Sequence, residues 1–560
     1  MRLRAMPMLT LALLLGPVLA GLVGTLAPAF GILPVIGRVE PGVDAFRALL
    51  AWPGLPGAVW LSMVTGLGAT VISLVIVMLL VACWSGTRSF AAFRRALSPL
   101  LSVPHAAAAF GLAFLVAPSG LVVRLLSPWA TGWTQPPDLL IVQDPAGLSL
   151  MAGLVVKEVP FLLLMTLAAL GQADAVRAET VARSLGHDRP AAWLKAVFPR
   201  VYAQIRLPVL VVLAFSMTVV DVALILGPNT PPTLAVQVVR WMNAPDLAMR
   251  LQAAAAATLQ LALVVAALGL WCLGERVVAW LGRAWIWSGA RRAGGAITAA
   301  LSLALAGSAA LTVLAGLGVL AIWSFAGFWR FPSPWPDAMT LGNWVRHWPG
   351  VAEALGTTIG ISALSTFLAL VLAIGCLEAE HRHALRLRAR GQWLLYLPLL
   401  APQVAFLPGV QTWMLMLGVK GGVGAVVAAH VIFVFPYVFL SLGDPFRAWD
   451  ARQATIAHSL GAGPDRVLWA VRLPMLLAPL LTAAAVGFAV SVGQYLPTLL
   501  IGGGRVQTVT TEAVALAAGG DRRAIAVWAI VQTGLALLPF ALAVGLPRLV
   551  WCNRRGLLHG

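Results

Sequence analysis

Thr180-Val-Ala-Arg-Ser-Leu-Gly186 is followed, thirteen residues after its glycine, by Pro199. Thr455-Ile-Ala-His-Ser-Leu-Gly461 is followed, at the same distance, by Pro474. Glycine ends helices readily, an aspartate next to it (Asp188, Asp465) favours a new helix start, and proline stops a helix that reaches it. The pattern predicts a short amphipathic helix at Ala191–Val197, and again at Arg466–Val471, lying across a membrane face. Its chemistry is mechanical. A second set consists of polar groups inside long apolar runs: Lys157, Glu158, Asp221, Gln494, His105, Gln403 and His430. A central charge costs ~2.5–3.5 kcal/mol on insertion scales, so such residues are functional candidates by default. Asp221 and Gln494 are candidates to line a path. Lys157 and Glu158, adjacent on one helix, point about 100° apart and should find different partners. His105 and Gln403 each follow a proline, where a broken helix would bare carbonyl groups. For His430 a buried, hydrogen-bonded role is the simpler reading.

Catalytic chemistry finds little support. The eight histidines are scattered, no HExxH or paired-carboxylate array occurs, and Cys83, Cys272, Cys376 and Cys552 have no CxxC spacing. No metal site and no cofactor is expected. No GxxxxGK[ST] phosphate loop is present.

The elements that carry these residues follow from composition. Of 560 residues, 60% are hydrophobic and 10% charged, with a mean hydropathy of +0.91. A soluble domain carries about 25% charge. A span needs ~20 apolar residues, and about twelve candidates are present: 8–30, 59–83, 98–117, 146–170, 207–227, 253–273, 296–325, 355–377, 393–417, 423–443, 475–500 and 524–550. The first follows Met1-Arg-Leu-Arg as a signal peptide would, but no exported soluble domain follows, so an uncleaved span is expected. With the N-terminus in the cytoplasm, 26 of the 38 Lys and Arg fall on the cytoplasmic side, 11 outside, and Lys157 within a span. The net charge of +18 is therefore a topology signal and not a nucleic-acid signal. Both termini are expected inside, with lipid as the surrounding partner.

The two loops lie 275 positions apart, and Gly227 and Gly502 share that offset. Pro160 pairs with Pro436 at 276, Pro104 with Pro402 at 298, and Ser62 with Thr358 at 296. The drop in offset matches the long stretch 118–145 against the short 418–422. The expected fold is an all-α polytopic membrane protein of two parallel six-helix repeats. These are 1–273, with loop 171–206, and 296–560, with loop 444–473, joined by a basic linker at 274–295.

Glu-Ala-Ala, three residues, Gly, then thirteen steps to Pro is the signature of permease subunits of binding-protein-dependent ABC importers, and this chain resembles that family over nearly its whole length. The fused two-copy layout and Gln494-Tyr-Leu-Pro-Thr-Leu-Leu-Ile-Gly-Gly-Gly504 resemble its iron(III) and thiamine branch. Ala182, Gly186 and Pro199, with Ala457, Gly461 and Pro474, match the motif. Thr180 and Thr455 replace its Glu, and the first copy ends Phe198-Pro199 where Leu-Pro is usual. The resemblance implies a bacterial inner-membrane subunit with no enzymatic activity, a pore made by both halves, an ATP-binding-cassette ATPase dimer docked on the two loops, and an extracytoplasmic solute-binding protein. Relatives with this loop carry iron(III), thiamine, polyamines and oxyanions. The competing reading is a secondary transporter with two six-span halves. It would need midplane ion-coupling residues, and Lys157, Glu158 and Asp221 all lie in the first half.

Overall fold

The computed structural model describes residues 3–97, 100, 102–383 and 389–550. Arg2, Arg386, Arg388, Cys552, Arg554, Arg555 and His559, counted above, and part of the third expected span, lie outside the described residues. Among the described residues there is no β-strand, only two isolated bridges.

The first half contains α1 (Met6–Ala29), α2 (Leu55–Trp84), α3 (His105–Val116), α4 (Leu148–Gln172), α5 (Ala175–Ser184), α6 (Phe198–Thr218), α7 (Asp221–Leu226) and α8 (Met249–Trp287). The second contains α9 (Ala296–Phe325), α10 (Gly342–His383), α11 (Ala389–Leu400), α12 (Gln403–Met416), α13 (Val423–Ala448), α14 (Arg452–Ser459), α15 (Leu477–Val492), α16 (Leu496–Gly502) and α17 (Arg522–Val550). Among the described residues ten helical runs are long and apolar enough to cross a membrane, and a bent pair, Pro464–Met475 with Leu477–Val492 at 77°, makes up to eleven. The expected twelve is corrected at one place. The run 393–417 is two helices, α11 and α12, each shorter than a span, separated at Ala401-Pro402. Proline has no N–H to continue the ladder, and it biases its predecessor away from helix.

The two halves interlock through glycines. α9 crosses α3 where Gly316 meets Gly111: a Cβ on Gly111 would lie 2.8 Å from the Gly316 Cα. α1 crosses α12 where Gly21 and Gly24 meet Gly409: a Cβ on Gly409 would lie 1.8 Å from the Gly21 carbonyl oxygen. Each half thus places its first helix on the third span of the other half. Gly111 and Gly409 are 298 apart, the offset of the proline pair. In lipid, helices associate by such close backbone approach, because apolar area alone gives no preference for protein over lipid.

One loop sets the start of α4. Asp144 accepts hydrogen bonds from the Leu148 N–H (2.8 Å), the Ser149 N–H (2.8 Å) and the Ser149 hydroxyl (2.7 Å). Burial alone would raise its pKa, and these bonds outweigh that and hold it below the ordinary carboxylate range. The cap therefore stabilises the fold above pH ~4 and is lost as pH falls through its lower folded value. Ser149 Oγ also lies 2.7 Å from the Leu226 carbonyl oxygen, tying α4 to the end of α7.

Replacing Gly409 with Leu should destabilise the purified, detergent-solubilised chain by at least the ~1–3 kcal/mol of an overpacked core. Gly318→Leu, on α9 but facing open space, should leave thermal unfolding nearly unchanged. Equal behaviour of the two variants would refute the crossing.

Candidate functional site

Four helix breaks meet near the middle of the bundle. Pro104 and Pro402, both extended, stand before His105 and Gln403, the first residues of α3 and α12. Val219-Val220 separates α6 from α7, which begins at Asp221. Gly493-Gln494-Tyr495 separates α15 from α16. α7 packs on α3, as α16 packs on α12. The repeat brings polar residues together at matching breaks, although at the 275 offset Asp221 aligns with Leu496 and Gln494 with Val219. Asp221 lies within electrostatic reach of His105, and Gln403 Nε2 donates to Gln494 Oε1 at 3.4 Å. Asp221 also faces Tyr495 of the other half. Asp221, Gln403, Gln494 and Tyr495 are all partly accessible, and the His105 side chain is 39% exposed.

Lys157 and Glu158, both buried, take different partners as expected. Lys157 Nζ donates to the carbonyls of Val103 (2.6 Å) and Leu100 (3.2 Å), the groups bared ahead of the Pro104 break. Glu158 Oε1 lies 3.7 Å from His105 Nε2. Lys157 supports the break, and Glu158 belongs to the central polar cluster. His430 is buried and held at both nitrogens, by Ser491 Oγ (2.8 Å) and Thr498 Oγ1 (2.9 Å). Thr498 gives its own proton to the Gln494 carbonyl at 2.9 Å, so His430 Nε2 is the donor to Thr498 and Nδ1 accepts from Ser491.

Sequence reasoning missed two glutamines. Gln260 on α8 donates to the Met217 carbonyl at 3.0 Å. Gln532 on α17 donates to Thr510 Oγ1 at 2.7 Å, and Thr510 donates to the Val492 carbonyl. Met217 and Val492 are 275 apart and sit at matching breaks. A lone amide in an apolar run, repeated at an offset of 272, was the available signal.

At the other end of α4 and α13 lie the two repeated loops. Gly186 (φ +88) and Gly461 (φ +83) occupy the left-handed region. The Gly186 N–H bonds the Arg183 carbonyl, and the His187 N–H bonds the Ala182 carbonyl. Gly461 with His458, and Ala462 with Ala457, repeat this. This is a Schellman cap, so Ala182 and Ala457 supply the carbonyl that closes it. Asp188 then accepts from the Ala191 N–H at 2.8 Å and starts the next turn. Asp465 instead pairs with Arg382 at 2.7 Å.

Two expectations change here. Pro199 and Pro474 do not stop a helix. Each lies in the first turn of the next helical segment, just after a five-residue π-turn, Trp193–Val197 or Leu468–Arg472. The wider π-turn makes room for a ring that has no N–H to offer. Nor is Ala191–Val197 a surface helix, since Ala191, Ala192, Trp193 and Val197 are fully buried. The helix before each glycine is exposed in both copies, and in the second copy the segment after it is exposed as well, at Trp469 (68%). Val181 (55%) and Leu185 (64%) on and beside α5 match Ile456 (56%) and Leu460 (82%) at α14.

The two loops are anchored differently. Loop one is held by the linker: the Asp188 N–H bonds the Arg291 carbonyl, its carboxylate accepts from the Ala293 N–H, and Lys195 lies 4.5 Å over Trp285. Glu179 pairs within the loop with Arg189 at 3.5 Å. Loop two is held by a buried pair, Arg472–Glu378 at 2.5 Å, with Arg382 also on Glu378 at 2.6 Å. Trp449 stacks on Arg472 at 4.3 Å.

No family model matches the chain. It is 32% identical to the inner membrane ABC transporter permease protein YnjC of Escherichia coli K12 over 517 residues, 91% of this chain and 92% of that protein. It is 30% identical to the molybdenum transport system permease protein ModB of Mycobacterium tuberculosis over 183 residues, 29% of this chain and 68% of ModB. It is 25% identical to the putative 2-aminoethylphosphonate transport system permease protein PhnV of Salmonella choleraesuis over 224 residues, 39% of this chain and 83% of PhnV. With two spaced loops of one geometry, a polytopic helical fold and a relative matched almost end to end, the chain belongs to the transmembrane permease subunits of ABC importers, multi-pass proteins of the inner membrane that work with an ATPase and a binding protein.

Proposed function

We propose that this one chain supplies both halves of the importer's pore. Residues 1–273 and 296–560 are its two permease repeats, and 274–295 is a cytoplasmic linker. Both termini and the loops 171–206 and 444–473 face the cytoplasm. One chain would then receive two ATPase copies and one binding protein. ModB and PhnV match stretches no longer than one such repeat, which supports the fused arrangement.

The observation that carries the docking assignment is the matched exposure of Val181 and Leu185 with Ile456 and Leu460. These two pairs of exposed apolar side chains share one offset of 275, which suits a dimeric partner with the same groove twice, whereas exposed Val176 and Trp469 have no such counterpart. In this reading Ala182, Gly186, Ala457 and Gly461 shape the exposed turns, and Pro199 and Pro474 fix where each loop re-enters the membrane. Asp221 and Gln494, with His105 and Gln403, line the path. Glu158 polarises it, and Lys157 holds the break that forms it.

Leu185→Glu with Leu460→Glu should abolish binding-protein-stimulated ATP hydrolysis and transport in the reconstituted complex, with the chain still folded. Gly186→Leu or Gly461→Leu should act in the same direction, because a side chain in the left-handed region costs roughly 1–2 kcal/mol and unwinds the cap. Normal stimulation in these variants would show that the loops do not couple.

Glu378→Ala should release the second loop. It leaves the Arg472 guanidinium buried without its partner, a change that costs about 3–5 kcal/mol, and the loss should appear as a lower unfolding temperature. Adding Arg472→Met should restore much of it. No recovery in the double variant would argue against the pair as the anchor.

A further inference from the structure

At the end of the molecule opposite the loops lies a cavity of ≈ 250 Å³. It sits by the first turn of α8 and the start of α13. The far ends of these helices reach the linker and the second loop. Its walls include Arg250, Lys420 and Arg505, with Gln411 behind them and Gly418, Gly421 and Gly503 leaving the backbone bare. No carboxylate lines it. Among the described residues, none of the three cations has an ion pair or a side-chain hydrogen bond. Arg250 Nε and Gln411 Oε1 are buried and lack any hydrogen-bond partner. Buried polar atoms are almost always satisfied, so these two leave a donor and an acceptor free for a polar group entering the cavity.

The matching place beyond α3 supplies the comparison. There Arg522, in the first turn of α17 as Arg250 is in the first turn of α8, donates to Ser119 O (2.9 Å) and Ser119 Oγ (2.8 Å). Arg240 is likewise held by Asn229 O and Oδ1. By the 298 offset Ser119 corresponds to Leu417, beside Gly418. The second half has lost the hydroxyl that satisfies the arginine and gained Lys420 and Arg505. The repeat has kept a closed, self-satisfied copy and opened the other.

We propose that this cavity binds a small oxyanion, the charge class of the imported solute, at the entrance to the pore. Guanidinium forks match oxyanion geometry with two parallel N–H donors, three positive groups raise the local anion concentration, and the volume suits a solute smaller than the usual ~300–1,000 Å³ ligand pocket. The proposal rests on the importer reading. It excludes bare cations such as iron(III) or polyamines from this site.

The test uses the full-length chain in phosphatidylcholine nanodiscs, with inorganic phosphate and inorganic molybdate as probes in titration calorimetry. Saturable binding of at least one probe is expected. Arg250→Gln or Arg505→Gln should weaken it about ten-fold, equivalent to ~1.4 kcal/mol. Arg346→Gln, exposed on the same face and outside the cavity, should leave it unchanged. If Arg250→Gln does not fold, Arg505→Gln and Lys420→Gln, in exposed loops, carry the test. No binding of either probe, or binding indifferent to all three substitutions, overturns the proposal. So does occupancy that appears only with phosphatidylglycerol and that free phosphate does not compete, which would identify a lipid headgroup. Because no ATPase is present, failure of this binding and failure of loop coupling are separate results.

Discussion

A helix broken inside an apolar slab leaves carbonyl groups that no water reaches, and each costs several kcal/mol unless the protein itself supplies a donor. Much of this structure answers that constraint. The break before α3 is served by Lys157, the break after α6 by Gln260, and the break after α15 by Thr510, Gln532 and the His430–Thr498 pair. Donors come from neighbouring spans, so the breaks exist only when those spans are packed. The same breaks let His105, Asp221, Gln403 and Gln494 face the interior without burying them outright. The breaks and the donors that satisfy them are one construction.

The second condition is that the halves be held together. The glycine crossings of α9 on α3 and α1 on α12 place each first helix on the opposite half. Backbone touching backbone there leaves no room for a side chain larger than glycine's. At the two repeated loops the symmetry relaxes. One loop leans on the linker through Asp188 and Lys195, the other on the Glu378–Arg472 pair. Yet both present the same apolar pair beside the same Schellman turn. The two copies share the exposed apolar pair and differ in their anchors.

Much of the site was legible in sequence where the physics is local. The Ala-and-Gly pattern at Ala182 and Gly186 encodes a turn that a few residues make by themselves, and it formed as read. Pro104 and Pro402 were rightly taken as breaks, because proline removes a donor wherever it stands. The reading went astray where a neighbour decides. Pro199 looked like a stop, but a π-turn absorbs it. Ala191–Val197 looked like a helix lying on the membrane face, but α6 continues from it and Ala191, Ala192, Trp193 and Val197 are buried. The expected ninth span, 393–417, failed as one helix because α11 and α12 share a break.

Sequence alone determined the helical class, the repeated loop pattern and the shape of each loop turn. Apolar run length, repeat offset and glycine at positive φ need no partner to have their effect. Tertiary structure decided which polar residue meets which, bringing Gln403 onto Gln494 and Asp221 within electrostatic reach of His105, and it closed one arginine site while leaving the other open. Those outcomes depend on contacts between segments up to hundreds of residues apart. A difference as small as Ser119 against Leu417-Gly418 acquires meaning only when an arginine from another helix lies beside it.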